Sequence, residues 1–168
     1  MRNFLGNFLK RITASFLFLG YIPGAPGTYG AIAATAGIWY VNRLYPSFFG
    51  PDNAAQYWLV AVALTGLATW VSNGSNEVFG RFDAKQIIID EGVGIFITFM
   101  AIPLTWRTLL LGLLLFRFYD IVKPFPVYKF EELDDGLGVT MDDVAAGVLA
   151  NLSLFLILGI YHGIKSFL

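Results

Sequence analysis

The chain has 168 residues, of which 57% are hydrophobic and 14% charged, with a mean hydropathy of +0.65 and a formal net charge of -1. A soluble domain carries about 25% charged residues, so this composition describes one integral-membrane domain over residues 1–168. Cys is absent, which excludes a disulfide framework and a thiol nucleophile.

In chain order, residues 4–19 are apolar but interrupted by Asn7, Lys10 and Arg11. A spanning helix needs about 20 mostly apolar residues, so the two charges predict an interfacial or re-entrant segment. No small-x-small cleavage site follows it, and the segment reads as retained. Residues 20–30 hold four glycines and two prolines, which predicts irregular backbone. Helix one is expected over 31–44, a Pro-containing turn over 45–53, and helix two over 54–71. A polar segment, 72–86, carries Glu77, Arg81, Asp83 and Lys85. Helix three opens at Asp90-Glu91 and ends near Pro103. Helix four covers 108–122, a polar loop 123–140, and helix five 141–163. The expected fold is all-α: a polytopic membrane bundle of about five spanning helices plus the N-terminal segment. Period-2 polar alternation, the mark of a barrel, is lacking.

The charges fall unevenly over that topology. Eight of the eleven basic residues share one side: Arg2, Lys10, Arg11, Arg81, Lys85, Arg117, Lys123 and Lys129. The positive-inside rule makes that side cytoplasmic. Eleven of the twelve acids fall there too, and only Asp52 lies opposite. Acids contribute little to topology, so their convergence points to something cationic held among them.

Each cluster also has a plain structural reading. Arg117 and Asp120 share a helix face, and Pro124 is expected to push Lys123 toward extended backbone. Snorkelling anchors with a salt-bridge partner would account for these three, as would a site for phosphate and a metal ion. A favourable helix dipole explains one acid at Asp90-Glu91 better than two; Gly92 and Gly94 beside them suit close approach. Thr140 with Asp143 resembles a helix cap. Asp143, Gly147 and Asn151 form a small and polar stripe that should face protein. Glu131, Glu132, Asp134 and Asp135 read as a solvated charge run, and Asp83 as a weak support to a site. Pro26-Gly27-Thr28 offers backbone N–H groups to a phosphate. His162, the single histidine, falls at the far end of helix five and excludes histidine-based phosphatase schemes. Oxygen-only ligands favour a hard cation, Mg²⁺ first.

Four stretches in series resemble the phosphatidylglycerophosphatase A family. They are Ala25-Pro26-Gly27-Thr28-Tyr29-Gly30, Asp90-Glu91-Gly92-Val93-Gly94, Phe116-Arg117-Phe118-Tyr119-Asp120-Ile121-Val122-Lys123-Pro124-Phe125-Pro126, and the run from Gly136 to Gly147. The resemblance implies a Mg²⁺-dependent enzyme of the bacterial inner membrane that converts phosphatidylglycerol phosphate to phosphatidylglycerol and phosphate. It implies that Asp90, Glu91, Arg117, Asp120, Lys123, Asp142 and Asp143 are functional, with residues 26–28 beside them.

On that basis the metal set is Asp90, Glu91, Asp120, Asp142 and Asp143, and the phosphate-binding set is Arg117, Lys123, Gly27 and Thr28. The catalytic set is Asp90, Glu91, Asp120, Lys123 and Asp143. Water attack and an aspartyl-phosphate intermediate both remain open. The expected partners are a phospholipid substrate and the membrane, not nucleic acid. The rival readings are another divalent-metal lipid phosphotransferase, a small cation carrier with acids nearer the midplane, and a non-enzymatic scaffold.

Overall fold

The computed structural model describes residues 2–80 and 84–167, and these form an all-helical fold. The helices are α1 (Arg2–Ala14), α2 (Pro26–Leu44), α3 (Ala54–Ser72), α4 (Ser75–Phe79), α5 (Ile89–Thr98), α6 (Trp106–Val122), α7 (Val127–Glu131) and α8 (Asp135–Phe167). Arg81 and Asp83, assigned to the polar segment by sequence, lie outside the described residues.

Helix α2 begins five residues earlier than expected, at Pro26. Proline is at home in a first helical turn, where its missing N–H has no partner to lose. The Gly- and Pro-rich stretch is therefore irregular only in its first half, and Pro26-Gly27-Thr28 forms a helix start rather than a loop.

Helix α8 also starts earlier than expected. Thr140 is thus not a cap; its hydroxyl donates to the Gly136 carbonyl at 2.9 Å inside the helix. Asp142 and Asp143 stand nearly two turns in, on the flank of α8, where the dipole contributes little. The extra turns fit because Gly136 lies against the backbone of Thr69 and Asn73 at the end of α3, where a Cβ would collide.

Helix α5 is the centre of the bundle. Eight of its ten residues are buried, as befits a helix apolar on every side. Gly147 of α8 meets the Gly94 backbone, and a Cβ on Gly147 would collide with the Gly94 carbonyl oxygen. One turn further along α8, Asn151 Nδ2 donates to the carbonyls of Thr98 and Met100, at 2.9 Å each. Those bonds satisfy the carboxyl end of α5 within the bundle. Tyr57 of α3 stacks on Phe96, with ring centroids 4.3 Å apart, and donates its hydroxyl proton to the Phe96 carbonyl. The stripe Asp143–Gly147–Asn151 faces protein, as its residue types imply.

These contacts bring the start of α2, the end of α3, the start of α5, the end of α6 and the first half of α8 to one end of the bundle. The Gly74 N–H donates to the Asp135 carboxylate at 3.0 Å there. Ile88 N–H donates to the Ala14 carbonyl at 2.9 Å, tying α1 to the same end. Lys10 and Arg11 of α1 also bond there, to the carbonyls of Asn73 and Val78 at 2.6 and 2.8 Å. At the opposite end, the close of α2 and the α5–α6 connection line a common hollow.

Among the described residues, two segments are long and apolar enough to cross a membrane: α3 and Asp135–Lys165 of α8. The expectation of about five spanning helices is met by length and hydropathy together in only these two; α2, with 19 residues, is long enough but less apolar. Helix α6 has 17 residues and α5 only ten, against about 20 for a full crossing.

Candidate active site

A cavity of about 560 Å³ opens at the end where the helix termini meet. Its wall contains Gly27, Asp90, Glu91, Arg117, Asp120, Lys123, Asp142 and Asp143. Eight of the nine residues singled out by sequence thus share one hollow. The ninth, Thr28, lies in the same turn as Gly27 but outside the wall.

The five acids divide into two groups. Asp90, Glu91 and Asp143 place carboxylate oxygens within 4.8 Å of one another. Asp90 and Asp143 are buried, and Glu91 Oε2 is a buried oxygen without a hydrogen-bond partner. Three carboxylates this close repel one another, so the cluster requires protons or a cation. An all-oxygen donor set with an orphaned buried oxygen fits a hard divalent cation.

The other two acids are paired with cations. Asp120 accepts from Arg117, three residues before it. Asp142 accepts from Lys123 Nζ at 2.8 Å, and its other oxygen accepts the Asp143 N–H at 2.9 Å.

Lys123 ends α6 in the left-handed region, φ 45° and ψ 57°, not in the extended conformation expected before proline. That strained backbone accompanies a side chain reaching both Asp142 on α8 and Glu131 on α7, each at 2.8 Å. Burial pulls the Lys123 ammonium down, but hydrogen bonds and charge from Asp142 and Glu131 outweigh it and hold it above the ordinary lysine range.

Gly27 is required by close approach. A Cβ there would collide with the Glu91 carboxylate and sit 3.2 Å from Arg117 Nη1. The first turn of α2 therefore comes up against both charges, with its unpaired N–H groups at the cavity.

Two charged wall residues were not singled out by sequence. Glu131, assigned to a solvated charge run, anchors Lys123 instead. Lys85 lines the same cavity. Neither carries a local signal, because each reaches the site through tertiary packing. Asp135 of the same run bonds the Gly74 N–H.

Acids suited to a divalent cation, faced by a guanidinium and an ammonium in one hollow, define a phosphoryl-transfer enzyme. Comparison with known proteins makes this particular. The family model for phosphatidylglycerophosphatase A matches residues 12–158. Phosphatidylglycerophosphatase A of Haemophilus influenzae is 37% identical over 141 residues, 82% of each chain. That of Escherichia coli is 31% identical over 140 residues, 82% of this chain and 77% of the relative. A Bacteroides thetaiotaomicron protein named "Putative phosphatidylinositol-3-phosphatase" is 37% identical over 147 residues, 84% of this chain and 89% of its own. No solved structure matches. The chain belongs to the phosphatidylglycerophosphatase A family and is a phosphatase acting on a phosphoric monoester.

Proposed function

We propose that the chain hydrolyses phosphatidylglycerol phosphate to phosphatidylglycerol and phosphate, with Mg²⁺, at the cytoplasmic leaflet of a bacterial inner membrane. The observation that carries the reading is the sharing of one cavity by an unpaired acid cluster and two cations. The family model and two of the relatives named above carry this substrate in their names.

Asp90, Glu91 and Asp143 would hold the ion, with Asp120 and Asp142 as its outer neighbours. The ion, when bound, supplies positive charge to the phosphoryl oxygens and acidifies nearby water. Arg117 and Lys123 bind the non-bridging oxygens, Arg as a planar fork and Lys as a point charge. The N–H groups at the start of α2, around Gly27 and Thr28, add donors. A phosphate taking hold of Arg117 releases Asp120 from its ion pair, and Asp120 then accepts the proton of the attacking water. The water oxygen bonds to phosphorus, the bond to the glycerol oxygen breaks, and that oxygen takes up the proton Asp120 received and leaves as the new hydroxyl. Monoester transfer has a loose transition state, so positioning and charge account for most of the acceleration.

The membrane placement rests on sequence and surface together. The basic residues favour the site end as cytoplasmic. Exposed apolar side chains such as Leu59, Val62, Leu114, Leu152 and Leu156 coat the outer faces of α3, α6 and α8, as a lipid-facing surface requires. We read five passages: α2, α3, α5, α6 and α8, with α5 completed by residues 99–105. Non-helical backbone at membrane depth is tolerated where protein buries it, and Phe99 and Ile102 are buried.

The test is phosphate release from phosphatidylglycerol phosphate by purified protein in detergent. Release that survives complete chelation of divalent ions would defeat the assignment of the acid cluster.

A further inference from the structure

A second hollow, of about 480 Å³, lies between α1, α2, α3 and α5. Its wall is apolar, with Ile12, Phe16, Ala34, Ile38, Leu67 and Val93 among its residues. We infer that this groove holds one acyl chain of the lipid whose phosphate enters the acid-lined cavity. The inference rests on the reading of the substrate as a phospholipid and adds where its tail lies.

Three features select this occupant. First, the groove and the site share α5. Glu91 lines the polar cavity and Gly92 the groove; with 3.6 residues per turn, consecutive side chains diverge by about 100°, so the two hollows flank different faces of the helix at its first turn. A lipid with its headgroup in the site has the groove beginning at the same level of the bundle.

Second, the groove runs along the bundle. Its α5 wall extends from Ile89 at the site end to Phe96, about 10 Å at the rise of an α-helix. An acyl chain descending from the leaflet takes the same direction.

Third, the groove has room and a held rim. A Cβ on Gly37 meets nothing within 4 Å, and one on Gly92 only the Phe16 ring at 3.9 Å. Phe16 and Leu17 stand at the rim on three successive left-handed residues, with φ 50°, 59° and 68° for Phe16, Leu17 and Phe18. Such backbone is costly for side-chain-bearing residues, and persists where surroundings hold it. Ser15 does so: its hydroxyl accepts the Phe18 N–H at 3.0 Å and donates to the Arg11 carbonyl at 2.6 Å.

The test fills the groove without touching the phosphate site. Gly37→Trp places an indole in open space on a helical backbone. Phosphate release is measured from long-chain phosphatidylglycerol phosphate in mixed micelles and from its soluble dibutanoyl analogue. The expected result is a KM about tenfold higher for the long-chain lipid, the worth of roughly two buried methylenes, with kcat/KM for the analogue unchanged. An unchanged KM for the long-chain lipid overturns the groove.

A second measurement needs no substitution. A long-chain substrate with a diazirine near its acyl terminus should label α2 and α5 in the unaltered protein, at Ala34, Ile38 or Val93. Labelling confined to the outer faces of α6 and α8 overturns the inference. Failure of the functional reading itself looks different: the unaltered protein then releases phosphate from neither substrate.

Discussion

Lys123 Nζ donates to Asp142 Oδ2 at 2.8 Å and stands 2.8 Å from Glu131 Oε1, so one ammonium at the end of α6 joins α7 and α8 at the cavity wall. Its neighbours hold the ammonium charged above the ordinary lysine range, against the effect of burial. A raised lysine pKa means that the charged, paired form is intact below the ordinary lysine range and is lost only as pH climbs through the higher folded value. Amine acylation at mildly alkaline pH should therefore modify exposed Lys85 and spare Lys123, read by peptide mass spectrometry. Rapid acylation of Lys123 would contradict the pairing.

Removing that ammonium should be felt in catalysis. Lys123→Gln is expected to lower kcat about 10²–10³-fold, the range for losing one donor that stabilises transition-state charge. Lys123→Arg should not restore it, since a planar fork does not reproduce a point charge held between two carboxylates. Steady-state phosphate release with both variants measures this.

The two groups of acids should separate in a Mg²⁺ titration. Glu91→Gln and Asp143→Asn remove oxygens from the cluster, so both should need more Mg²⁺ for half-activation and show lower activity at saturation. Asp142→Asn leaves the three clustered carboxylates but loosens Lys123 and the Asp143 amide. A loss of about 10–100-fold is expected there, as for an outer partner of a metal ligand. Identical Mg²⁺ dependence in all three variants would argue against the division.

The crossing of α5 and α8 should tolerate no side chain at Gly147. A Cβ would collide with the Gly94 carbonyl, and backbone against backbone leaves nothing flexible to move. Gly147→Val is expected to abolish recovery of folded protein in size-exclusion chromatography, while Gly159→Val, where a Cβ meets nothing within 4 Å, should behave as the unaltered chain.

Asn151→Leu should fold but less stably. It removes the donor serving Thr98 and Met100 and leaves buried carbonyls unpaired, at about 1–3 kcal/mol for such a group. Thermal unfolding in detergent should show a lowered midpoint.

The helical fold, and which acids and cations come to line the cavity, are written in local features of the chain. Apolar runs report the helices, because burial of apolar surface depends only on residue type and period. The motifs around Gly27, Asp90, Arg117 and Asp143 are contiguous, and their residue types suit a phosphate and a hard cation. Other features are invisible at that level. The split of five acids into a free trio and two paired members depends on which cation reaches which carboxylate, across 19 residues in the case of Lys123 and Asp142. Glu131 carries no local sign of its bond to Lys123. The early start of α2 uses Pro26 in its first turn and that of α8 a tight contact at Gly136, residue types that composition alone reads as helix-breaking. The shortness of α5 is legible only in its surroundings, since a ten-residue helix ends inside the bundle where Asn151, more than 50 positions on, donates to carbonyls at its close. Residue type specifies what each group can do; the meeting of distant segments specifies which partner each one has.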